Sequence, residues 1–186
     1  MINVKEKNRN NIILALQVLA VFCIAVIHYS TLFSIKIGTA SPIIIIPFLI
    51  IVSYYSGMWR GVIFAFAYGI YMDSVAAETL CFNTLALGII ICVCGVLITY
   101  FFNRNISAVL LLSLGAALAY FVLKWLFFFV FTATEGHHIY LFSYAVPSAI
   151  YSAVFALPFY YIAKFLSNKQ KKIKKKKKSG GEQNAL

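Results

Sequence analysis

Three ionisable side chains interrupt long apolar stretches of the sequence: His28, Asp73 and Lys124. An imidazole, a carboxylate and an ammonium brought together inside a bilayer are the parts of a proton relay or an ion path. Asp73 is the only aspartate in the chain. A charge left alone in hydrocarbon costs several kcal/mol, so one economical arrangement pairs Asp73 with Lys124, with His28 as a third member. Each residue also has a plainer reading. The stem of Lys124 can snorkel to the interface beside Trp125, and His28 can hydrogen-bond to a neighbouring backbone carbonyl.

Catalysis by the remaining candidates fails on chemistry. An intramembrane aspartyl protease needs two carboxylates sharing a proton, and no second acidic residue lies within an apolar run. Glu135, His137 and His138 read EGHH, without the HExxH spacing that sets two histidines on one helical face, so no metal is expected there. The four cysteines, Cys23, Cys81, Cys92 and Cys94, form neither a CxxC pair nor a zinc box. They read as small buried apolar residues. No serine or cysteine has a histidine and an acid at motif spacing, and there is no glycine-rich phosphate loop. The expectation is a non-enzyme without a cofactor.

The elements that position these residues follow from composition. Of 186 residues, 62% are hydrophobic and 11% charged, which is the composition of a polytopic membrane protein. The apolar runs fit about six spans of roughly 20 residues, and they do not alternate as barrel strands do. They cover about 12–33, 42–55, 59–77, 84–102, 106–131 and 142–166. The second, with Pro42 and Pro47, is short for a span and reads as tilted, kinked or re-entrant. The expected fold is an all-α membrane protein, a compact bundle of six transmembrane helices. A basic N-terminus (1–11) precedes the transmembrane domain (12–166), and a polybasic tail (167–186) follows it. The first run lacks a small-x-small cleavage site and reads as a retained span.

Basic residues favour the cytoplasmic side. Six crossings place Lys5, Lys7, Arg9, Arg60, Arg104 and the tail on that side and only Lys36 outside, so both termini are expected to be cytoplasmic. At about 1.5 Å per residue, His28, Asp73 and Lys124 then lie roughly 21 to 27 Å up, in the outer half of the bilayer. The tail carries Lys169, Lys171, Lys172, Lys174, Lys175, Lys176, Lys177 and Lys178. Anionic headgroups attract such a segment by about 1 kcal/mol per basic residue, whereas nucleic-acid binding has no aromatic interleaving to support it. Docking to an acidic protein surface is the alternative.

The stretch from Gly57 to Asn83 organises the rest. Gly61, Ala65, Gly69, Asp73 and Ala77 fall at i+4 intervals, a stripe of small residues broken by a carboxylate, which in a membrane is a packing surface. Gln17, Ser113 and Ser152 read as interhelical hydrogen bonders. Two further small rows, Ala145, Ala149, Ala153 and Ser148, Ser152, Ala156, mark a second close contact.

On these residues the chain resembles the MreD family of rod shape-determining proteins. The motif is a glycine-containing turn at Gly57, then Gly61, Ala65 and Phe66, then Gly69 and Asp73, and finally Asn83, together with Pro42 in the preceding helix and basic ends. Ala65 and Cys81 stand where that family often has glycine. The resemblance implies a non-enzymatic scaffold in the bacterial inner membrane, associated with the bitopic protein MreC and coupling MreB filaments to peptidoglycan synthases. Under it, Gly61, Ala65 and Gly69 hold the bundle together or receive a partner helix. Two alternatives stand beside it: the substrate-binding membrane subunit of an energy-coupling vitamin transporter, and an ion carrier built on His28, Asp73 and Lys124. The first of these lacks the Ala-x-x-x-Ala pair commonly carried by the first span of such subunits.

Overall fold

The computed structural model describes residues 4–29, 43–76, 81–101, 105–132 and 144–167. The lysine tail, the EGHH segment, Lys36, Pro42 and Ala77 lie outside the described residues. Regular structure among those described is helical: α1 (Val4–Tyr29), α2 (Ile45–Ser56), α3 (Met58–Ala76), α4 (Phe82–Tyr100), α5 (Ile106–Thr132) and α6 (Val146–Val154), with a helical continuation over 156–167.

The short proline-bearing segment is the centre of the bundle. Ile45, Ile46, Leu49 and Ile50 are all at most 1% exposed, and α2 touches α1, α3, α4, α5 and α6. A helix that is apolar on every side must be enclosed on every side. Pro47 sits in its first turn, where a missing N–H leaves no intrahelical bond unmade, so it produces no kink. Twelve residues reach only about 18 Å, well short of the roughly 30 Å hydrocarbon core.

One residue, Gly57, joins α2 to α3. Its φ of 103° and ψ of 150° lie where a side chain is strained. The reversal brings Gly61 onto α2, where a Cβ would strike the hydroxyl of Ser53 and approach the carbonyl of Leu49.

The pairing of α3 with α4 is the most extensive in the bundle, and its direction is fixed by three notches. Gly69 faces Thr84, Phe66 faces Gly88, and Met58 faces Gly95. As one number rises the other falls, so the two helices are antiparallel. Tyr120 and Phe127 of α5 meet Phe82 at the start of α4, which sets α5 antiparallel to α4. The last helix runs parallel to α2: Ile43 meets Ser152, Phe48 meets Phe159, and Tyr54 meets Tyr160.

Expected as one continuous helix over 142–166, this last element is interrupted at Phe155. Pro158 follows three residues on and has no N–H to offer the carbonyl of Val154, which accounts for the break.

Among the described residues, four helical stretches are long and apolar enough to cross a membrane: Asn11–His28, Phe82–Tyr100, Ile106–Phe127 and Val146–Ser167. The chain is thus an all-helical protein with the apolar helices of a membrane protein. Two of the six expected spans do not meet that measure alone. α2 is too short, and α3, which carries Arg60 and Asp73, is less apolar. Both are held by their neighbours. α1 is the opposite case, with Leu16, Leu19, Phe22 and Val26 exposed, the solvation expected of a helix facing lipid tails.

Candidate functional site

The motif residues converge on the first turn of α4. That turn has four backbone N–H groups without intrahelical partners, and in hydrocarbon no water replaces them. The residue before it supplies no cap. Cys81 adopts a left-handed conformation, φ 63° and ψ 14°, and makes no side-chain capping bond.

Asp73 fills that role from the neighbouring helix. Its Oδ1 accepts the N–H of Asn83 at 3.1 Å, and its Oδ2 accepts both the N–H of Thr84 at 2.9 Å and the Thr84 hydroxyl at 2.6 Å. A carboxylate at a helix N-terminus also meets the positive end of the helix dipole. Gly69, one turn earlier on the same face of α3, makes the approach possible, because a Cβ there would overlap the backbone of Thr84. Glycine lets the helices close, and aspartate four residues on uses that closeness.

Asn83 extends the node to a third helix. Its side-chain Oδ1 accepts the hydroxyl of Tyr120 at 2.6 Å, and both residues are buried. Gly69, Asp73, Asn83, Thr84 and Tyr120 therefore tie α3, α4 and α5 together at one end of the bundle. Lys124 lies one turn beyond Tyr120 on α5, and thus on the same side of that helix. His28, half-buried near the end of α1, is within electrostatic range of Lys124. All three ionisable residues singled out in the sequence thus gather at the end of the bundle where α4 begins.

The small-residue stripe does not serve one partner. Residues four apart advance about 40° around a helix beyond a full turn, so the row drifts. Gly61 packs on α2, Ala65 is fully buried, and Gly69 packs on α4. Gly57 makes the turn before it. Each position is taken up by the chain's own helices.

A second helix start is served in the same way. α2 has no side-chain cap of its own, and Ser152 accepts the N–H of Ile43 at 2.8 Å while donating to the carbonyl of Ser148 at 2.7 Å. Ser148, Ala149, Ser152 and Ala156 are wholly buried. Gln17 donates to Ser56 at 2.7 Å, linking α1 to α2. Ser113 differs from expectation: its hydroxyl returns to the carbonyl of Val109 in its own helix, a local bond open to any helical serine.

Sequence reading missed Thr84 and Tyr120. Thr84 was detectable as a capping-type residue at the mouth of an apolar run. Tyr120 carried no signal, being one tyrosine among twelve.

Chemically the node binds its own backbone. The donors around Asp73 hold both of its oxygens, and among the described residues no cluster of histidine, cysteine, aspartate or glutamate could hold a metal. Among the same residues the cysteines are free thiols. No protein-family model matches the chain, and no curated protein or solved structure matches it either.

Proposed function

We propose that the chain is a non-enzymatic scaffold of the bacterial cell-elongation machinery, of the kind the MreD family represents. It sits in the inner membrane with six crossings and both termini in the cytoplasm. It binds the single-span protein MreC and helps couple MreB filaments to the peptidoglycan synthases outside, so that the cell keeps a rod shape.

The observation that carries this reading is the use made of Asp73. In a carrier or an enzyme an intramembrane carboxylate would be presented to an ion or a substrate. Here both oxygens accept donors from the first turn of α4, and the motif positions Gly69 and Asn83 complete the same contact. These residues build a rigid body, which is what a scaffold requires. Directions alternate over the five elements from α2 to the last helix, and α1 as a further crossing makes the number even, which sets the N-terminal basic residues and the lysine tail on one side.

Purification of the full chain in mild detergent tests the proposal. Co-recovery of a bitopic partner with cell-wall synthases, and rounding of rod-shaped cells on depletion, are the expected results. Recovery alone with a tightly bound vitamin would overturn it.

A further inference from the structure

The end of the bundle opposite Asp73 carries a different kind of cluster. Tyr54 and Tyr55, at the end of α2, meet Tyr160 at ring separations of 6.3 and 6.2 Å, and Tyr160 meets Tyr161 at 6.0 Å. The Nζ of Lys164 lies over the Tyr160 ring, 5.7 Å from its centroid. Beside this array Tyr161, Ile162, Lys164, Phe165 and Leu166 form an open, outward-facing surface of the last helix.

Each part of that surface matches a part of one ligand. The apolar stretch of this helix ends at Ser167, so Lys164 lies within one turn of the membrane surface, at headgroup depth. Ile162, Phe165 and Leu166 are exposed and apolar, a surface on which an acyl chain can lie. Tyr161, 60% exposed, has the ring-and-hydroxyl character that suits the interface. Contact with the buried Tyr160 restrains the ammonium of Lys164, which lowers the entropy lost on binding. Two residues past the apolar stretch the sequence turns strongly basic, from Lys169 to Lys178, which enriches anionic lipid locally.

We propose that this surface is a binding site for one anionic phospholipid, with the phosphodiester held by Lys164 and Tyr161 and an acyl chain lying along Ile162, Phe165 and Leu166. The site is distinct from diffuse attraction of the lysine run to the leaflet, and it does not depend on the scaffold reading.

The test is native mass spectrometry of the full chain titrated with dioleoyl-phosphatidylglycerol or dioleoyl-phosphatidylcholine. Three proteins are compared: the wild type, Lys164→Gln, and a variant with the lysines from Lys169 to Lys178 changed to glutamine. Lys164 is exposed, so its replacement leaves the fold intact. The first phosphatidylglycerol should bind about fivefold more weakly to Lys164→Gln, the loss expected for one basic residue at the surface. The tail variant should keep that first tight site while losing the weaker ones. Wild-type affinity in Lys164→Gln, loss of the tight site in the tail variant, or equal binding of phosphatidylcholine would each overturn the proposal.

Discussion

Helices α3 and α5 both carry small residues in four-residue register, and they use them in opposite ways. On α3 the row of Gly61, Ala65 and Gly69 is enclosed by α2 and α4. On α5, Ser107, Leu111, Gly115 and Ala119 lie at four-residue steps on one exposed face, small except at Leu111, and a Cβ built at Gly115 would meet nothing within 4 Å. The spacing is common to both, so spacing alone does not reveal what a small-residue face touches. The difference lies in the carboxylate. Asp73 continues the α3 row and fixes it against a helix start, whereas the α5 row leads into Leu123 and Leu126, both exposed.

The sharpest way to break this comparison is to put a large side chain on each row. Gly69→Leu should destabilise the bundle by about 3 kcal/mol, the upper end for overpacking, because the obstructing atoms belong to the backbone of Thr84. Detergent-driven unfolding followed by helical circular dichroism would measure it, and a stable variant would refute the close approach. Asp73→Ala ranks next, at about 2 kcal/mol, since it leaves the donors of Asn83 and Thr84 without their partner. Asp73→Asn keeps one acceptor and should lose roughly half as much. Were the alanine and asparagine variants equal, the cap would not be what Asp73 provides.

Cys81→Gly works in the other direction. Relief of a left-handed backbone should stabilise by about 1 kcal/mol, visible as a higher melting temperature in the same micelles. The smallest effect belongs to the open row. Gly115→Leu should change stability by less than about 0.5 kcal/mol, and a large loss there would show that the α5 face is covered in the folded protein.

Much of the scaffold was legible in the sequence because hydropathy reports it directly. α4 and α5 fall within two residues of the apolar runs that announced them, and the Gly57 turn and the Gly69 to Asp73 row were visible as patterns. What could not be read was direction in space. Asp73 was weighed only as a partner for a cation across the bundle, and its bonds to backbone donors from residues ten and eleven positions away were not foreseen. Charge rules weigh side chains against side chains and overlook the unpaired N–H groups at a helix start, which in hydrocarbon compete strongly for an acceptor. The same blindness hid α2. Its prolines argued for irregularity, whereas nine buried residues out of twelve make it the most enclosed helix, because burial depends on neighbours that periodicity cannot show.

The bond from Ile43 to Ser152 spans 109 positions, and that distance has a meaning in time. A ribosome delivers α2 to the translocon long before it delivers the serine, so the start of the innermost helix waits for the final one. Nascent chains halted before Ser152 should therefore leave α2 open to cysteine-directed labelling at its first turn, and chains released after Ser167 should protect it.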